Sequence, residues 1–159
     1  MIGHKGDNAI TVRLSQPAAQ LRRWLLNETV TRKRPLSSAE IIADYPLAAG
    51  EPLAELVETR AIVMDEAGSV NFLYPVSALA THHKVTLSDG RDLYAMCAVD
   101  ALGVAFAFEM DTRIISKCSF CGKEIEIRMQ GGKIAQSSSG EIHVLHVDLS
   151  AYDNWATTC

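Results

Sequence analysis

The stretch Leu93-Tyr94-Ala95-Met96-Cys97-Ala98-Val99-Asp100-Ala101-Leu102-Gly103-Val104-Ala105-Phe106-Ala107-Phe108 constrains this chain more than any other. It is the most apolar run, and its length suits about four turns of helix. A helix that is apolar on nearly every side belongs in a core. This one also carries a thiol and a carboxyl, Cys97 and Asp100. On a helix their i, i+3 spacing places both on one face, about 5–6 Å apart at Cβ. A carboxyl taken out of water is expected to have a raised pKa and to hold a proton near neutral pH. The pair therefore reads in two ways. It is either a thiol beside a proton-bearing acid, with chemistry available, or a core cysteine beside a capping aspartate, since free cysteine is among the most buried residue types.

A chain of 159 residues makes one domain, or one domain with a small N-terminal subdomain. Its net charge of −4 argues against a dedicated nucleic-acid binder, which carries a basic excess. Glu109 and Asp111 interrupt the apolar run before it reaches the length of a membrane span. Met1–Asp7 lacks the hydrophobic centre of a signal peptide, so the expected compartment is the cytoplasm. There the four cysteines, Cys97, Cys118, Cys121 and Cys159, read as structural thiols, metal ligands or catalytic groups rather than disulfides.

The expected fold class is α+β, in three parts. Residues 1–16 form a polar arm. Residues 17–76 form a winged-helix-like subdomain of three short helices and a hairpin. Pro17 opens the first helix over Ala18–Asn27, and Thr31–Pro35 is a basic loop. Ser37-Ser38-Ala39-Glu40 is a capping-box start for Ala39–Asp44, and Pro52 opens Leu53–Thr59. Ala61–Asp65 and Val70–Tyr74 flank a turn as a hairpin. The third helix carries Glu51, Glu55 and Glu58, which would repel phosphates, so the subdomain reads as scaffold. In residues 77–159, strands at Lys84–Leu87, Ile114–Cys118, Glu124–Met129 and Ile142–Val147 make a small antiparallel sheet on the buried helix.

Two further constellations bear on chemistry. Cys118-x-x-Cys121-Gly resembles half of a zinc ribbon, with His143-x-x-His146 at a plausible distance. Against zinc, the two histidines fall in a run that reads as a strand, where positions three apart point to opposite faces. His82-His83 reads as an exposed polar pair. No Gly-x-Ser-x-Gly, phosphate loop or dinucleotide fingerprint occurs.

The segment Leu93–Asp100, with its Cys-Ala-x-Asp core, resembles the active-site segment of the organomercurial (alkylmercury) lyases. Ile115-Ser116-Lys117-Cys118 is similar to a segment where that family has a structural cysteine. Cys159 falls where the family supplies its second active-site cysteine. The resemblance covers roughly residues 18–159. It implies cleavage of a carbon–mercury bond. Thiolates at Cys97 and Cys159 would hold the soft metal, and Asp100 would deliver a proton to the departing carbon. The metal ligands implied are thus Cys97, Cys159 and Asp100. Products would be a hydrocarbon and Hg(II), passed to cytosolic thiols or a mercuric reductase, with no organic cofactor or permanent metal required. Two departures stand out: Met96 replaces an aromatic residue, and Cys121 is extra. In the family a further segment follows the second cysteine, whereas Cys159 ends this sequence. The alternative expectation is therefore a lyase-like Hg(II)-binding protein without cleavage. A third, a thiol-dependent regulator built on the winged helix, conflicts with the acidic third helix.

Overall fold

In the computed structural model the described residues are 14–144. Most of the polar arm, the run from Leu145 through His146, and Cys159 lie outside them.

Ser15 caps helix α1 (Gln16–Arg32) by accepting from the Ala18 N–H, and Pro17 sits in the first turn, where its missing N–H removes no helical bond. The helix runs five residues past its expected end at Asn27. Burial of Thr29 and Val30 and the bonds of Arg32 to Glu28 and Asp44 carry it through that extra length. Strand β1 (Leu36–Ser37) leads into α2 (Ser38–Asp44). At the junction the expected capping box is complete. Ser37 Oγ accepts from the Glu40 N–H, and the Glu40 carboxylate accepts from the Ser37 N–H at 3.0 Å. Ser37→Ala is expected to lower stability by about 1 kcal/mol, read as a lower urea midpoint at unchanged m-value.

A 3-10 turn over Pro46–Ala48 leads to α3 (Glu51–Glu58). Glu55 on this helix accepts from the Ser15 N–H at 2.6 Å, tying the start of α1 to α3. Strands β2 (Ile62–Met64) and β3 (Ser69–Leu73) form the expected antiparallel hairpin. Then come β4 (Val76–Ser77), β5 (His83–Leu87), β6 (Asp92–Ala95), helix α4 (Ala98–Phe108), β7 (Thr112–Lys117), β8 (Glu124–Gln130) and β9 (Lys133–Ser137).

All nine strands join one sheet in the order β1-β3-β4-β6-β5-β7-β8-β9, with β2 also on β3. The sheet is thus larger than expected and takes in the hairpin, because β4 bonds β3 on one side and β6 on the other. A single core joins Leu21 and Leu25 of α1, Leu56 of α3, Leu73, Val85 and Ile114 of the sheet, and Val104 of α4. Among the described residues no helix is long and apolar enough to cross a membrane.

Three local expectations need correction. Leu93, Tyr94 and Ala95 are strand, not helix. They alternate buried, exposed, buried in β6, with ladder partners on both β5 and β4. The helix therefore starts only at Ala98, and it buries one face (Asp100, Ala101, Val104 and Ala105) while Phe106 is 62% exposed. Next, β9 was not foreseen: its residues are polar and mostly exposed, and only pairing with β8 defines it. Finally, Ile142–Val144, the described part of an expected strand, has no regular structure.

Candidate active site

The site is built where β6 hands over to α4. Met96 donates its N–H to the Pro75 carbonyl at 3.4 Å. Cys97 then stays extended, at φ −145° and ψ −179°, and becomes the N-cap of α4. Its sulfur accepts from the Asp100 N–H at 3.5 Å, as a serine oxygen does at a helix start. The thiol in turn donates to Asp100 Oδ2 at 3.2 Å. Cys97 and Asp100 are therefore brought together, but as a cap and its third residue rather than as two steps along a continuous helix. The expectation of a capping aspartate is reversed, since the cysteine does the capping.

Asp100 is 2% exposed. Burial pushes its pKa from 3.8 up to about 6, against opposing hydrogen bonds from Cys97 and the Tyr74 side chain. Its other oxygen, Oδ1, is buried without a hydrogen-bond partner among the described residues. At pH 7 a carboxyl with that pKa is roughly 90% ionised. Burial thus raises the affinity of this acid for a proton, in the direction expected of a buried carboxyl, and the acid sits in contact with a thiol that carries one.

Two residues of this site escaped sequence reasoning. Tyr74 ends the β2–β3 hairpin, and Arg22 lies on α1. Arg22 Nη2 donates to the Tyr74 carbonyl at 2.6 Å. Burial lowers the Arg22 pKa, and attraction to the Tyr74 phenol offsets part of that. Arg22 Nε is buried with no partner among the described residues. The chain from Arg22 through Tyr74 to Asp100 crosses three separate elements. Only the folded contacts reveal it; no spacing in the sequence does. On the helix side, Gly103 packs against Pro75, where an added Cβ would meet the proline Cβ at 3.6 Å, an ordinary contact.

Cys118 and Cys121 are also brought together, in the turn after β7. The backbone N–H groups of Cys121 and Phe120 donate to the Cys118 sulfur and, with the Cys121 side chain, lower its pKa. The Gly122 N–H closes the turn on the Cys118 carbonyl at 2.8 Å, with Gly122 at φ 70°, where a side chain would be strained. His143 does not join them. It is 83% exposed and pairs with Glu141 at 3.3 Å. Among the described residues no three histidine, cysteine or carboxylate groups converge on a metal position. His83 corrects the reading of an exposed histidine pair. It is half-buried, its Nδ1 lies 2.9 Å from Ser116 Oγ, and burial lowers its pKa.

The alkylmercury lyase (MerB) family model matches residues 76–159, which include Cys97, Asp100, Cys118 and Cys121 but not Arg22 or Tyr74. A solved structure described as the mercury-bound form of MerB2 shares the fold, with a TM-score of 0.59 at 20% identity over 81% of this chain. The chain spans 63% of that protein's length. No curated protein matches the chain.

Proposed function

The chain belongs to the alkylmercury lyase family, and on that premise we propose that it cleaves carbon–mercury bonds by protonolysis, with Cys97 as mercury ligand and Asp100 as proton carrier. The observation that supports this most is the 3.2 Å bond from the Cys97 thiol to a buried carboxylate. As the sulfur of Cys97 bonds to an organomercurial, its proton moves to Asp100 and the exchanged ligand leaves. A second thiolate, which the family resemblance assigns to Cys159, adds to the mercury and loads electron density onto the metal–carbon bond. Asp100 then gives its proton to the departing carbon, and the carbon–mercury bond breaks. The hydrocarbon leaves, Hg(II) stays on two sulfurs, and Asp100 is again a carboxylate. Mercury remains divalent throughout.

The surrounding elements fit this reading. We read the order β1-α2-α3-β2-β3 after α1 as a winged-helix-like scaffold over residues 17–76. Its hairpin delivers Tyr74 to the acid, and Glu55 of its third helix is engaged with Ser15. Residues 77–159 carry the chemistry. A reducing cytoplasm, where free thiols persist, suits Cys97, and cytosolic thiols or a mercuric reductase would take the product in a detoxification role.

Incubating the protein with a phenyl- or methylmercury salt in excess monothiol, and measuring released benzene or methane, tests the proposal. Mercury bound without hydrocarbon release would leave only the capture reading. The pH dependence adds a second test. The free protein needs Asp100 as carboxylate and Cys97 as thiol, so kcat/KM is expected to rise with pH and level off near pH 7. Below the Asp100 pKa of about 6 it should fall, tenfold per unit. A rate that climbs as pH falls through 6 would contradict the proton-acceptor role.

A further inference from the structure

The Cys118–Cys121 turn has no part in the cleavage just described, yet it is arranged as a ligand. The turn is closed by bonds from the Gly122 N–H to the Cys118 carbonyl and from the Cys118 N–H to the Lys123 carbonyl, both 2.8 Å, which sets the two cysteines of the Cys-x-x-Cys spacing on one tight loop. The Cys121 and Phe120 backbone and the Cys121 side chain favour the Cys118 thiolate. Packing does not explain the pair. Cys121 is exposed, and Phe120 between the two cysteines is 96% exposed. Both thiols are free. We propose that Cys118 and Cys121 form a second, non-catalytic dithiol site for a two-coordinate soft cation, which receives Hg(II) from the Cys97 site.

The donor set selects the ion. Zinc in a structural site takes four ligands, and among the described residues no third histidine, cysteine or carboxylate converges here. Two thiolates alone satisfy a soft cation that favours linear coordination, as Hg(II) does. Topology then places this site beside Cys97. Strands β6 and β7 both run antiparallel to β5, which lies between them. Cys97 follows the end of β6 and Cys118 the end of β7, so both sulfur-bearing turns open from one end of the sheet. Extending the two registers past Lys84↔Tyr94 and His83↔Ser116 brings Cys97 and Cys118 level with Thr81 on opposite sides. Bonds from Thr81 Oγ1 to the Ala95 carbonyl and from the Lys117 N–H to the His82 carbonyl continue the pairing toward that level. Two strand spacings amount to about 10 Å. Transfer is ligand exchange: two mercury–sulfur bonds form at Cys118 and Cys121 and two break at the first site. The protons of the incoming thiols pass to the departing sulfurs, and mercury stays divalent.

That transfer rests on the lyase reading; the existence of the site does not, and the experiment separates them. Reduced wild type, Cys97→Ser and Cys121→Ser are titrated anaerobically with mercuric chloride in excess monothiol, and protein-bound mercury is counted after gel filtration. Cys97→Ser is expected to retain one ion per chain, coordinated by two sulfurs in X-ray absorption, and Cys121→Ser to hold one fewer than wild type. Equal stoichiometry in Cys121→Ser and wild type, no retention by Cys97→Ser, or a four-coordinate ion would overturn the site. Phenylmercury without added thiol then tests transfer. Wild type should release two benzenes per chain and Cys121→Ser one; equal yields from the two would overturn the transfer. If neither releases benzene while Cys97→Ser still holds its ion, the cleavage reading and with it the transfer fall, and the site stands.

Discussion

Asp100→Asn should abolish carbon–mercury cleavage, by about 10²–10⁴-fold, while leaving mercury capture by Cys97 intact. The amide has the carboxylate's shape and an oxygen to accept from the Cys97 thiol, but it cannot carry a proton to carbon. The same substitution should stabilise the protein. Asp100 has a pKa of about 6 when folded and 3.8 as its ordinary value, so between those values the folded chain binds the proton more tightly. Its contribution to stability is therefore fully present below pH 3.8 and is lost as pH rises through about 6. At pH 7 the shift makes the folded state about 3 kcal/mol less stable than it would be if the group stayed neutral. Replacing it with a neutral isostere should recover about 1–3 kcal/mol of that, seen as a higher urea midpoint at pH 7 that converges on wild type at pH 4. A variant less stable than wild type at pH 7 would mean that bonds to the carboxylate outweigh its desolvation.

Cys97→Ser should remove turnover as completely, through the opposite half of the pair. Oxygen is a hard donor and holds mercury poorly. The loss should exceed the roughly 100-fold that even an outer partner of a metal ligand can cost when removed. The start of α4 should survive, because Cys97 is its N-cap and serine is a preferred N-cap residue. Unchanged far-ultraviolet circular dichroism and urea midpoint beside absent turnover would separate chemistry from folding. Turnover within tenfold of wild type would move the mercury ligand to another sulfur.

Much of this was legible from local signals. The Ser37–Glu40 box and the hairpin need only neighbouring residues, and both formed as read. The Cys97 and Asp100 pairing was legible too, although its geometry was not. Apolar composition from Leu93 to Phe108 is uniform, so it hides the change from a period of two to one of 3.6 at Cys97. Only the ladders to β4 and β5 fix Leu93–Ala95 as strand. Tyr74 reaches Asp100, and Arg22 reaches Tyr74, across long sequence separations, which no local pattern encodes. Strand β9 is polar and exposed, so its hydrogen bonds to β8 replace a hydrophobic signal.

Cleavage of a phenylmercury salt in D2O, with the mass of the released benzene recorded, tests the protonolysis most directly. The thiol and carboxyl protons exchange with solvent, so the account predicts benzene carrying one deuterium, one molecule per Hg(II) formed, and none from Asp100→Asn. Undeuterated benzene, or full yield from Asp100→Asn, would contradict it.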